Sequence, residues 1–264
     1  MFPNFFSFVC AQTYQLVKKR RNNIETRMKT SYGKVNKQAC DPFKPHVIAL
    51  KSVEFLKLIN EESSFQDKLE AMRVYQQIFS KVSRAIIQRF DPTMVYTFNN
   101  EINVVFYVNE YGDVLFGGQI LKLVTNIASF ASNVLQKELS EMKMSPQCIF
   151  EGSFYEFEKD IEVANFLVWR QLDCYRNNAS LMYKCANGLK DVTGLKHKDV
   201  VETLQKGGFE IDEFITHGTI LKKQLYYVHK DDSLVARKNV IETYDLFSDN
   251  FDEMYHKYIL NKVL

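Results

Sequence analysis

The residues best suited to chemistry are concentrated in one decapeptide, Trp169-Arg170-Gln171-Leu172-Asp173-Cys174-Tyr175-Arg176-Asn177-Asn178. Read as a helix, its spacing of three and four puts Arg170, Asp173 and Asn177 on one face. A guanidinium, a carboxylate and an amide in a row suit two uses. They can line a pocket for a polar ligand, or form a buried network in which Trp169 is core and Arg170 pairs with Asp173; the residues alone favour neither. Gly117-Gly118, ahead of a helical pattern, either presents backbone N–H groups to a phosphate or simply turns the chain, the second being the commoner use. Lys18 to Arg21, Lys122, Arg176, Lys222, Lys223, Arg237 and Lys238 are cations near element ends that could follow phosphates, with Tyr226 and Tyr227 for stacking. Surface cations usually have no such role. The histidines (His46, His197, His217, His229, His256) show no metal-ligand spacing, and the cysteines (Cys10, Cys40, Cys148, Cys174, Cys185) form no C-x-x-C pair. No nucleophile-elbow motif points to a Ser/His/Asp triad.

The elements that must hold these groups can be read from hydrophobic period. The chain has 264 residues and 46% hydrophobic content, enough for one good core. Its net charge of +2, from 34 basic against 32 acidic residues, names no partner, so a nucleic-acid surface would have to be local. Val47 to Leu50 reads as a strand, and Leu69, Met72, Tyr75, Ile78, Val82 and Ile86 trace a helix over 66–90 that Asp91-Pro92 ends. Met94 to Phe98 and Val104 to Val108 read as a hairpin around Asn99-Asn100. A helix over 119–137, a strand over 149–157, a long helix over 161–188, a short helix over 198–205 stopped by Gly207-Gly208, and a strand over 219–228 follow. This order suits an α+β fold, an antiparallel sheet with helices packed on one face. The apolar opening, Phe2 to Val17, is too short and too polar to span a bilayer, and its basic cluster follows it. A cytoplasmic protein is expected, with a mitochondrial one as the alternative and no membrane partner.

The decapeptide also resembles the pattern W-R-Q-x-D-C-H-x-N-N of the tRNA-His guanylyltransferase family and its reverse-polymerase relatives, which add nucleotides to the 5′ end of tRNA. Arg27-Met28-Lys29 with Tyr32 is similar to that family's R-M-K-x-Y-E opening, and Phe116-Gly117-Gly118-Gln119-Ile120 with Lys122-Leu123 to its strand-to-helix junction. His217-Gly218-Thr219-Ile220-Leu221 is a weaker echo of K-G-T-x-L. The resemblance implies a polymerase-type palm domain over 27–240, an N-terminal extension over 1–26 and a C-terminal helical tail over 241–264. It also implies two carboxylates holding two Mg²⁺ ions, from a D-G pair after the first strand and an S-D-E run in the hairpin. In that register D-G falls on Lys51-Ser52 and S-D-E on Asn99-Asn100-Glu101. The local charge changes from two negatives to one positive, which Mg²⁺ cannot use. Glu101, the one weak metal candidate, should point away from Asn100 because strand side chains alternate. Tyr175 stands where the family has histidine.

The expectation is therefore a degenerate member that binds tRNA or a nucleoside triphosphate without efficient transfer. Lys51 would neutralise phosphate in place of a metal, although a lysine merely solvated at a decayed site is equally consistent. Lys51, Asn100, Lys122, Arg170, Asp173, Arg176, Asn177 and Asn178 are the candidate contacts, with no intact catalytic residue among Lys51, Ser52, Asn99, Asn100 and Glu101. Expected partners are tRNA, an active paralogue and further copies of the chain in a dimer or tetramer. One alternative is an active nucleotidyltransferase using Mg²⁺ and GTP, with metal held by Glu101, Asn100 and an acid such as Glu54 or Glu151. The other is an interaction protein that keeps only the fold.

Overall fold

The structure, a computed structural model, describes residues 34–53, 65–107, 112–144, 148–186, 197–208, 217–230 and 233–243. Residues 1–33, with Lys18 to Arg21 and the Arg27 to Tyr32 motif, and Glu54 lie outside the described residues.

Strand β1 (His46–Ser52) leads to helix α1 (Phe65–Phe90), whose apolar residues recur with helical period and bury Met72, Tyr75, Ile78, Phe79, Val82 and Ile86. Strands β2 (Met94–Phe98) and β3 (Glu101–Phe106) form the expected hairpin. Its two-residue turn uses Asn99 at φ 46, a conformation asparagine tolerates better than most residues. β3 begins three residues before the apolar run, because Glu101 is a charged residue that is nevertheless buried. Helix α2 (Ile120–Glu141) then leads to β4 (Phe150–Glu156). Helices α3 (Asp160–Ala186) and α4 (His197–Lys206) and strands β5 (Thr219–Lys230) and β6 (Ser233–Thr243) complete the order.

All six strands make one antiparallel sheet in the order β4-β1-β3-β2-β5-β6. The first four strands with α1 and α2 are a β-α-β-β-α-β unit, the split arrangement that places β1 and β3 in the centre. Ile48, Leu50, Val95, Ile102 and Val104 face α1 and α2 as one core. Each such side chain, fully buried, contributes about 1.5–3 kcal/mol. The expected cover on one face is present, and the structure adds to it. Val47, Met94, Tyr96, Phe98, Val105 and Ile220 form a second core with Val163, Ala164, Phe166, Leu167 and Cys174 of α3 on the other face. The central strands require this, since β1 and β3 bury successive residues and so are apolar on both sides.

Gly152 sets how closely α2 approaches β4: a Cβ there would lie 2.4 Å from Val124 Cγ1. The far end of α3 leaves the sheet and packs Ala179 and Met182 on Val200 and Leu204 of α4. Strand β6 was not anticipated; it runs across position 240 to Thr243. Residues 244–264 lie outside the described residues. No described helix is long and apolar enough to cross a membrane.

Candidate functional site

Lys51, near the end of β1, is opposite Glu101 on β3 and opposite Glu151 on β4. Directly opposed residues share a sheet face. The result is a row across three strands, Glu151–Lys51–Glu101, on the face that α3 covers. The next row contains the short side chains of Ala49 and Ser153, so the helix above cannot fill the space. A cavity of about 170 Å³ remains, with the acid–lysine–acid row at one side, Tyr155 at the wall, and Phe166, Trp169 and Arg170 as its roof.

Glu101 is fully engaged. Arg170 Nε donates to Oε1 and Nη2 to Oε2, both at 2.7 Å, and Asn103 Nδ2 donates to Oε1 at 2.9 Å. Arg170 Nη2 also reaches Asp173 Oδ2 at 3.0 Å. The guanidinium lies over the Trp169 ring, 4.5 Å from its centroid, and 5.4 Å from that of Phe98. Burial opposes its charge, but hydrogen bonds and attraction from Glu101, then Asp173, outweigh burial and hold its pKa above the ordinary value. The polar row on α3 is thus a structural network at its Arg170–Asp173 end, with Glu101 as the principal partner. Trp169 is not core: it is 49% exposed at the cavity rim.

Asn100 serves a different purpose from the one its register implied. Its Nδ2 donates to the Ser52 carbonyl at 2.9 Å, and the Ser52 N–H donates to the Asn100 carbonyl at 2.7 Å. This pair of bonds clips the hairpin turn to the end of β1, while Ser52 is buried. Lys51 and Asn100 therefore do not act as one cradle, and Lys51 has Glu101 and Glu151 for neighbours instead. The surplus positive charge expected here is cancelled, because β4 supplies a carboxylate that the motif register could not show. Among the described residues neither Lys51 nor Glu151 is in an ion pair, so both keep their hydrogen-bonding capacity.

The remaining candidates are dispersed. Arg176 and Asn177 are exposed on α3, Arg176 Nε donating to the Leu172 carbonyl at 3.2 Å. Asn178 is buried, its Nδ2 3.6 Å from Cys174 Sγ, and so serves the interior. Lys122 is exposed on α2, across the sheet from the cavity. Lys222 is on β5 and buried, which pushes its pKa down to about 8, and Lys223 pairs with Asp91; neither is a free surface cation. Tyr226 and Arg237, and likewise Leu225 and Lys238, are ladder partners between β5 and β6. Gly117-Gly118 forms a short turn ahead of α2, with both glycines at positive φ. The Gly117 N–H donates to Val114, that of Gln119 to Phe116 and that of Ile120 to Gln38, leaving those groups unavailable to a phosphate.

Mg²⁺ needs several hard oxygen ligands. Glu101 has its oxygens on Arg170 and Asn103, the Asn100 amide is turned to the Ser52 backbone, and an ammonium lies beside them. Among the described residues no three His, Cys, Asp or Glu are placed to hold a metal ion. These residues do not fit a two-metal centre.

No family model matches the sequence, and no curated protein is detectably similar to it. Solved structures are similar to it in fold. A bacterial tRNA(His) guanylyltransferase-like protein in complex with GTP is 20% identical, with a TM-score of 0.65 over 83% of this chain and 90% of that one. The ATP complex of such a bacterial protein is 19% identical, with a TM-score of 0.66 over 91% and 100%. The tRNA(His) guanylyltransferase of Saccharomyces cerevisiae is 12% identical, with a TM-score of 0.55 over 84% and 99%. The chain is thus an α+β protein built on a palm-like antiparallel sheet. Its fold is that of the tRNA-His guanylyltransferase-like proteins.

Proposed function

We propose that this chain recognises a nucleotide or an RNA end and does not efficiently transfer a nucleotide. One observation carries the reading: where this fold's register calls for two metal-binding carboxylates stand Lys51, an ammonium between Glu101 and Glu151, and Asn100, whose amide donates to the Ser52 carbonyl at 2.9 Å. Catalysis by two metals needs carboxylates free to bind cations and to stabilise the charge developing in phosphoryl transfer. Here the carboxylate is neutralised by an internal guanidinium, and the neighbouring positions hold Lys51 and a backbone-bound amide. The GTP and ATP complexes of the similar bacterial proteins support nucleotide recognition on such a sheet. Exposed Arg176 and Lys122 are available to follow an RNA backbone.

The test pairs two assays on the full chain. Incubation with 5′-phosphorylated tRNA, GTP and Mg²⁺ is expected to give no extended product. Filter binding of the same tRNA is expected to weaken linearly with the logarithm of salt, as phosphate contacts require. Robust extension would overturn the reading from one side. Failure to bind either tRNA or nucleotide would overturn it from the other, leaving a protein that shares the fold alone.

A further inference from the structure

We propose that the apolar surface formed where 35–43 runs beside 112–121 is the docking site of this chain's own N-terminal segment. Phe2, Phe5, Phe6, Phe8 and Val9 would cover its apolar residues, and Lys18 to Arg21 would meet the acids at its border. The surface adjoins the His46 end of β1, the opposite end from the Lys51 row.

Backbone bonds hold the two stretches together. The Cys40 N–H donates to the Gly118 carbonyl at 3.0 Å, that of Ile120 to the Gln38 carbonyl at 3.0 Å, and Ala39 bridges Gln119. Further along, a Cβ on Gly112 would lie 3.2 Å from the Phe43 ring. On this layer Val35 is 69% exposed, Phe43 71%, Leu115 37%, Phe116 40% and Leu121 45%. Large apolar side chains gathered in water mark a surface that something covers. Phe116 agrees with this, because its φ of 56 is a conformation that a bulky residue adopts only under strain, and here it holds an aromatic ring outwards.

Connectivity selects the occupant. The described chain begins at Lys34, next to Val35, so the preceding residues leave from the surface itself. Residues 22–33 can span up to about 40 Å when extended, which makes the contact intramolecular and lets modest affinity suffice.

Charge selects its orientation. The Phe43 end of the surface is tied to the end of β4, where the Asp41 N–H donates to Glu156 Oε2 at 2.7 Å and Lys44 Nζ pairs with Glu158 Oε1 at 2.6 Å. Glu156, Glu158, Asp160 and Glu162 are all exposed there, against the cations Lys44 and Lys159. The run Lys18 to Arg21 complements that excess of acid, whereas the Val35–Leu121 end carries Lys34, Lys37 and Lys122 and would repel it. An anionic membrane or an RNA backbone would meet the same carboxylates unfavourably, which favours the segment over either.

The intact chain is prepared with p-benzoylphenylalanine in place of Phe5, mixed in unlabelled and heavy-nitrogen forms, irradiated, and its cross-linked peptides are read by mass spectrometry. Cross-links to 35–43 or 112–121 within chains of one isotope are expected, with a yield that falls as salt rises. Phe116→Asn removes the ring while asparagine still accepts positive φ, and Glu156→Lys with Glu158→Lys reverses the border charge. Each should abolish most of the product while the far-UV spectrum stays unchanged. Mixed-isotope products would assign the surface to a second copy, and cross-links confined to other residues would leave it without the segment; either result overturns the proposal. A yield unmoved by Phe116→Asn does the same. Flotation with phosphatidylserine vesicles is the last arm: a chain that floats and loses its cross-link carries the segment on lipid, which also overturns it.

Discussion

Replacing Arg170 by methionine tests whether Glu101 belongs to the fold or to a ligand. The substitution keeps an unbranched stem against Trp169 and Phe98 but removes all three charged hydrogen bonds, two to Glu101 and one to Asp173. The Arg170 side chain is 13% exposed and that of Glu101 11%, so the pair counts as buried. Breaking such a pair costs about 3–5 kcal/mol, because a carboxylate is left desolvated and uncompensated. Two features place this case at the lower end, about 3 kcal/mol. Asn103 still donates to Glu101, and the adjoining cavity admits water to the carboxylate. With a urea m-value of about 2 kcal/mol/M, the unfolding midpoint should fall by about 1.5 M. Glu101→Gln alone should cost less, since its amide oxygen still accepts from Arg170. The double variant should then cost less than the sum of the two by about 1 kcal/mol or more, the coupling of groups in direct contact. A loss below about 1 kcal/mol for Arg170→Met, the scale of exposed pairs, or strict additivity in the cycle, would refute the assignment of Glu101 to Arg170.

Other expectations concern the supports of the site. His46 is buried against Phe106 and Phe154, and burial lowers its pKa, so the unfolded chain takes up a proton more readily than the folded one. The stability this residue supplies is complete above its unfolded pKa of about 6.5 and is lost as pH falls below it. His46→Phe should flatten urea midpoints measured across that window. Lys222 follows the same sign at alkaline pH: with a folded pKa lowered to about 8 from 10.5, stability should rise as pH climbs between those values. Lys222→Met should remove that rise. Gly152→Val should lower thermal stability by about 1–3 kcal/mol, the cost of overpacking, since its Cβ meets Val124 at 2.4 Å; an unchanged melting temperature would mean that α2 does not sit that close to β4.

How far the site could be read from the residues depends on the range of the contact concerned. Helical period placed Arg170 and Asp173 together because i and i+3 are neighbours on any helix, and the Asn99-Asn100 turn followed from local chemistry. Glu151 was named only as one possible acid for a metal; that it lies opposite Lys51 follows from the antiparallel pairing of β1 with β4, which no local pattern encodes. The same holds for Arg170 on Glu101, a contact between α3 and β3. The register singled out Lys51 and Glu101 but could not say what they touch. Trp169 was left open between core and pocket for a related reason; the helix leaves it half-exposed at the cavity rim, where Arg170 covers its ring. Strand β6 went unread because Ser233–Thr243 mixes charged and apolar residues and pairs only along one edge of the sheet, with β5.

The claim beneath all of this is that this corner offers no pair of carboxylates to a divalent cation: Lys51 and Asn100 stand at the register's acid positions, and Arg170 holds Glu101. Counting protein-bound Mn²⁺ by electron paramagnetic resonance, with a non-hydrolysable GTP analogue present, addresses it most directly. The expected spectrum shows only ions carried by the nucleotide, identical in the wild type and in Glu101→Gln. Additional Mn²⁺ held by the wild-type protein and lost in Glu101→Gln would contradict it.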